Sequence, residues 1–184
     1  MERIRSFIAI EIPEKIRDKI MEFVGKFQQQ DYDVRWVKYE NLHLTLCFLG
    51  NVSKDFLHKA TDKLSAIVTT QKSFELSLKN FGAFPSLRSP RVIWIGVEKG
   101  GNELIDLQAK IESTMAEIGY KPEERRFHPH LTIGRVKKRI DNDIIFTTQY
   151  NSGVFLVNSI TLFKSILTPD GPIYEKIHEF PFKS

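Results

Sequence analysis

The sequence predicts an α+β fold of two pseudo-symmetric lobes, each a mainly antiparallel sheet with outer helices, and an active-site cleft between the lobes. Three observations predict it. The stretches His43-Leu44-Thr45-Leu46 and His130-Leu131-Thr132-Ile133 nearly repeat one another 87 positions apart. Other landmarks recur at similar offsets, Ile8 with Ile93 at 85 and Phe81 with Phe163 at 82, as a duplicated unit places them. Runs of alternating polarity also interleave with runs of helical period, the pattern of sheets covered by helices. The whole chain, 1–184, reads as one domain built by internal duplication, with halves of approximately 1–84 and 85–184.

The elements follow in order. Arg5 to Ile12 alternates as a strand. A helix from about Pro13 to Gln29 rests on Pro13 as its first residue and on the spacing of Ile16, Ile20, Phe23 and Val24. After the first motif strand, Ser53 is the expected N-cap of a helix to Val68, whose Phe56, Leu57, Ala60, Leu64 and Ile67 form an apolar stripe. A strand is expected at Phe74 to Phe81. The second half repeats the order. Arg91 to Val97 is a strand, and Asn102 to Ile118 is a helix with Leu104, Ile105, Leu107, Ile111 and Met115 in register. The second motif strand, a short helix over Asp141 to Thr148, and strands at Phe155 to Phe163 and Ile173 to Phe180 complete the chain.

Composition narrows the function. The content is 41% hydrophobic, ordinary for a globular protein. No run of apolar residues is long enough to span a membrane, and the charged N-terminus MERIRSFIAIEIPEK does not resemble a signal peptide, so a cytoplasmic protein without membrane association is expected. Cys47 is the only cysteine, which excludes an intramolecular disulfide and a cysteine-based zinc site. Neither motif has a carboxylate close by and there is no H-E-x-x-H pattern, so no metal and no other cofactor is expected. The net charge of +4 suits an anionic partner, with basic residues at Arg88, Arg91, Arg125, Arg126, Arg135, Lys137, Lys138 and Arg139. The run from Arg135 to Arg139 places cations beside the second motif, although Lys137, Lys138 and Arg139 individually also suit a solvated surface.

The motifs carry the chemistry. Strand side chains alternate between faces, so each stretch presents an imidazole and a hydroxyl side by side, His43 with Thr45 and His130 with Thr132. On the same parity Cys47 shares the face of His43, while Leu44, Leu46 and Phe48 turn under the helices. Cys47 and its counterpart Gly134 are small enough to leave room for a ligand, though Cys47 fits a small buried hydrophobe better than a catalytic thiol. In a chain with five histidines, roughly 0.3 His-x-Thr triplets are expected by chance, so two within alternating apolar runs point to a purpose. Facing one cleft, the two pairs would form a phosphate-handling site.

These motifs, with their flanks HLTLCFLG and FHPHLTIGR and the opening RSFIAIEIP, resemble the two-histidine phosphoesterase superfamily over essentially the whole chain. The similarity is greatest to its branch of RNA 2',3'-cyclic phosphodiesterases, historically called 2'-5' RNA ligases. The resemblance implies a metal-free enzyme in which His43 and His130 are the acid and base, and Thr45 and Thr132 hydrogen-bond the phosphate. By the same analogy His43 protonates the 3' oxygen, His130 activates water, and Arg135 contacts phosphate; the sequence itself does not orient the substrate and leaves the opposite assignment of the two histidines open. Strict alternation would turn Arg135 away from His130, so this role requires a bulge near Gly134. The implied partner is RNA ending in a 2',3'-cyclic phosphate, tRNA halves included, acted on by a monomer, with 2'-5' ligation as the reverse reaction. Two alternatives remain at this point: a non-catalytic RNA or nucleotide-binding module, and a sister phosphodiesterase for a small cyclic nucleotide. His128 is expected at the cleft rim or behind His130, and Trp36 either stacks on a base or covers the core. His58 reads as solvated and His178 as structural.

Overall fold

The computed structural model describes residues 2–30, 32–122, 124–138 and 144–183. The elements are β1 (Arg3–Glu11), α1 (Glu14–Gln28), β2 (Val34–Trp36), β3 (His43–Ser53), α2 (Lys54–Val68), β4 (Phe74–Ser86), β5 (Ser89–Lys99), α3 (Gly101–Ala116), β6 (His130–Val136), α4 (Ile144–Thr147), β7 (Asn151–Val157), β8 (Ser159–Thr168) and β9 (Gly171–Pro181). The strands form two antiparallel sheets, ordered β3-β1-β8-β9 and β2-β6-β5-β4-β7. The expected bilobal α+β architecture is therefore present.

The sequence halves are nevertheless not the lobes. β4, which closes the first half, lies against β5 of the second, and β8 of the second half lies against β1 of the first. Each motif strand keeps its own partner, β3 on β1 and β6 on β5, while the halves exchange their last strands. This reciprocal exchange ties the two sheets into one body.

Helix ends follow local chemistry. Pro13 is the N-cap residue of α1, one place before the position expected, and its carbonyl accepts from the amides of Ile16 and Arg17 at 2.9 and 3.0 Å. Ser53 caps α2, its side chain accepting from the amide of Phe56 at 3.1 Å. The expected single strand over Phe155 to Phe163 is two, β7 and β8, in different sheets. The apolar alternation slips there: Phe155 and Val157 are buried, Asn158 and Ser159 are not, and Ile160 resumes on the opposite parity. The chain changes sheets at Asn158, whose carbonyl accepts from the Phe182 amide at 2.8 Å. The short helix expected from Asp141 is present over Ile144–Thr147, and residues 139–143 lie outside the described part. β2, three residues long, is too short to show a period and is absent from the sequence reading.

One core joins both sheets to α1, α2 and α3. The aliphatic members of both motifs are sealed in it, with Leu131 and Ile133 at 0% exposure and Leu44 and Leu46 at 1% and 2%. Their burial, worth about 1.5–3 kcal/mol per side chain, turns the polar partners of the same strands to the opposite face. A second, smaller group of Phe7, Ala9 and Phe163, flanked by Phe48 and Tyr174, lies on that opposite face of the first sheet. Among the described residues no helix is long and apolar enough to cross a membrane.

Removing the cap in Ser53→Ala should lower stability by about 1 kcal/mol, measured by denaturant unfolding at unchanged m-value. No loss would show that the Phe56 amide does not depend on this side chain.

Candidate active site

Two bulges aim the site. In the β1–β3 pairing Ala9 lies opposite Thr45 and Ile8 opposite Cys47, which leaves Leu46 as an extra residue. In the β5–β6 pairing Trp94 lies opposite Thr132 and Ile93 opposite Gly134, which leaves Ile133 extra. Beyond a bulge the alternation inverts. Cys47 and Gly134 therefore turn into the protein, while Phe48 and Arg135 turn to the cleft. This corrects three expectations. Cys47 is a core residue and does not share the face of His43, Phe48 is not packed under the helices, and Gly134 makes room for neighbouring side chains instead of a ligand. A Cβ on Gly134 would stand 2.8 Å from Val34 Cγ1 and 3.1 Å from Trp36 Cε3, so only glycine lets β2 approach β6 this closely.

Between the sheets lies a cleft of about 620 Å³. His43, Thr45, His130, Thr132, Arg135 and Trp36 all line it. So do Arg5, Arg35 and Lys38, with Tyr174, and Asp170 is the one carboxylate among the described lining residues. Arg5, Arg35, Lys38 and Tyr174 were missed in the sequence. Arg5 and Phe7 alternate on one face of β1, a signal the parity argument could have used, but Arg35 and Lys38 flank a strand too short to have a pattern. The basic residues that stood out are mostly elsewhere. Arg88, Arg91, Arg125 and Arg126 do not line the cleft, Lys137 and Lys138 lie 4.0 and 3.5 Å from Asp33, and Arg139 is outside the described residues.

The two imidazoles are held alike. His43 Nδ1 donates to the Asn41 carbonyl and His130 Nδ1 to the His128 carbonyl, each at 2.6 Å and each two residues upstream. A carbonyl only accepts, so both neutral rings carry the proton on Nδ1 and the lone pair on Nε2. The Thr45 hydroxyl lies 2.9 Å from His43 Nε2. Aromatic rings back both imidazoles: Phe7 and Tyr174 lie 4.9 and 5.2 Å from His43, Phe84 and Trp94 5.0 and 6.2 Å from His130. His128 acts behind His130 through its carbonyl; its own ring packs on Phe84 and Trp94 and does not line the cleft. Trp36 covers the core with one face, stacked on Phe27 at 6.0 Å, and also lines the cleft.

Burial pushes the His43 imidazole down to about 4, the Asn41 carbonyl opposing and the charge of His130 assisting. Burial also holds His130 below the ordinary histidine range, the His128 carbonyl opposing, with the His128 ring and Arg135 assisting. Both rings line the same cleft. At neutral pH the cleft thus presents two neutral bases among cations.

The model of the family described as LigT like Phosphoesterase matches this chain twice in succession, over residues 10–94 and 95–174. The chain belongs to the LigT-like phosphoesterase family. An RNA 2',3'-cyclic phosphodiesterase of Methanocaldococcus jannaschii is 38% identical, the match covering 96% of this chain and 99% of that protein. One of Thermotoga maritima is 35% identical over 97% and 96%. Among solved structures, Escherichia coli LigT complexed with 3'-AMP superposes with a TM-score of 0.82 at 30% identity, covering 100% of both chains. As a LigT-like phosphoesterase the chain shares the two-lobed frame of that structure from end to end.

Because the folded His43 value lies below the unfolded one of about 6.5, its neutral form stabilises the fold fully above that pH. The contribution is lost as pH falls toward about 4. Histidine proton shifts followed by NMR should give a midpoint near 4 for His43 and one below 6.5 for His130. A midpoint at or above 6.5 for either ring would contradict the burial argument.

Proposed function

We propose that this LigT-like phosphoesterase is an RNA 2',3'-cyclic phosphodiesterase that opens cyclic phosphate ends to 2'-phosphate ends, using residues 1–184 as a single duplicated domain. The observation that carries the reading is the convergence of two imidazoles, each with its lone pair on Nε2, on one cleft lined by four cations. Whole-length similarity to RNA 2',3'-cyclic phosphodiesterases at 38% and 35% identity supports the substrate class.

The chemistry follows from the residues. A water oxygen attacks phosphorus while the P–O3' bond breaks on the opposite side. His130 takes the proton of the water, and His43 delivers a proton to the departing 3' oxygen, leaving a 2'-phosphate and a 3'-hydroxyl. Each positioned acid or base contributes about 10² to 10⁴ in rate. Thr45, Thr132 and Arg135 supply donors to the non-bridging oxygens, where charge grows in the transition state; the forked guanidinium of Arg135 matches two of them. At neutral pH both rings are neutral, protonated on Nδ1 alone. The anionic diester favours the charged form of an imidazole, so substrate binding itself loads the acid. With an RNA 5'-hydroxyl in place of water, the same steps form the P–O5' bond as the P–O3' bond breaks, which leaves a 2'-5' linkage and a 3'-hydroxyl. The reading includes catalysis without a metal, a monomeric cytoplasmic enzyme, and RNA fragments such as tRNA halves as substrates.

The test is turnover of a short RNA ending in a 2',3'-cyclic phosphate, with chelator present and the product identified. A 2'-phosphate end is expected, and either His43→Ala or His130→Ala should lower kcat by at least about 10² with the fold intact. Binding without turnover would mean a recognition module, and turnover confined to a small cyclic nucleotide would mean a different substrate.

A further inference from the structure

We propose that the groove beyond Phe48 is a binding track for the single-stranded RNA that leads into the cleft, engaging nucleotides on the 5' side of the terminal one; this rests on the phosphodiesterase reading above. A cyclic phosphate exists only at a 3' end, so an RNA seated in the cleft has its remaining nucleotides leaving it in one direction. Phe48 lines both the catalytic cleft and a second hollow of about 430 Å³, and the Arg5 guanidinium lies over its ring at 4.4 Å. The two hollows thus adjoin at one aromatic ring with a cation upon it.

The lining of the second hollow suits a nucleic-acid strand. Arg3 and Lys121 contribute positive charge and, among the described residues, no carboxylate lines it. Phe56, in the first turn of α2, and Tyr120, just beyond α3, contribute half-buried rings. Gly50 and Gly119, with φ of +72° and +98°, put no side chain into the floor. Cations beside aromatic faces are what single-stranded RNA uses, since phosphates seek the first and every base can stack on the second. The catalytic cleft itself, by contrast, has Asp170 in its lining.

The experiment compares kcat/KM for cytidine 2',3'-cyclic phosphate with that for RNA dimers, tetramers and hexamers bearing the same end. It uses the intact protein, the Arg3→Ala/Lys121→Ala double variant and the Lys121→Glu single variant, which keeps the Arg3 hydrogen bond to the Asn51 carbonyl. For the intact protein kcat/KM should rise about tenfold from mononucleotide to tetramer. Both variants should lose most of that rise while staying within about twofold on the mononucleotide. Calorimetric binding of a hexamer with a 3'-phosphate end reads the groove without turnover. The double variant should bind it more weakly, with a log K against log salt slope shallower by about 1.4. Length-independent kcat/KM, equal losses on mononucleotide and hexamer, or unchanged hexamer affinity and salt slope would each overturn the track. Weaker hexamer binding by the variants with no turnover of any substrate would support the track and overturn the hydrolytic reading.

Discussion

Burial of Leu44, Leu46, Leu131 and Ile133 in a single core is the constraint on which the rest of the molecule depends. These side chains hold β3 and β6 from beneath, so His43, Thr45, His130 and Thr132 have only the opposite face available to them. The sheets that carry the two strands each include two strands from the other half of the chain, β8 and β9 beside β3 and β1, and β2 and β4 beside β6 and β5. Neither motif can move without disturbing the sheet that holds it, which is the rigidity that acid–base geometry requires.

The two halves of the site are built alike and then made to differ. Each imidazole is tied through Nδ1 to the carbonyl two residues before it, and each motif is followed by a bulge that re-aims the chain. The side chains so exposed are not equivalent: Phe48 follows His43, whereas Arg135 follows His130. A duplicated frame thereby becomes directional, with charge for the phosphate on one side and an apolar ridge on the other. The two imidazoles also sit in different surroundings, the deeper His43 meeting Phe7 and Tyr174 and the more open His130 meeting Phe84, Trp94 and Arg135. Unequal environments are what allow two identical side chains to divide acid and base work.

Much of this was legible in the residues. Periodicity placed every long helix and the motif strands, because burial of α1 at Ile16, Ile20 and Val24 and of α3 at Leu104, Leu107, Ile111 and Met115 follows the helical repeat. The four residues of the His-x-Thr pairs do share one cleft. Alternation failed wherever the backbone broke its own rule. The bulge at Leu46 reversed Cys47 and Phe48, and the crossing at Asn158 split one expected strand between two sheets. The demand for a bulge before Arg135 came from chemistry, and pairing places it at Ile133, one residue earlier than Gly134. The cleft cations Arg5, Arg35 and Lys38 come from elements distant in sequence, and no local pattern gathers them. Nor does sequence reveal that Asp33 engages Lys137 and Lys138.

The division of labour between the imidazoles is tested most directly by replacing the leaving 3' oxygen of the cyclic phosphate with sulfur. A thiolate departs without a proton, so the need for a general acid disappears while the need for a base on water remains. The rate lost in His43→Ala should return largely with the sulfur substrate, whereas the loss in His130→Ala should persist. Equal persistence of both losses, or equal recovery of both, would contradict it.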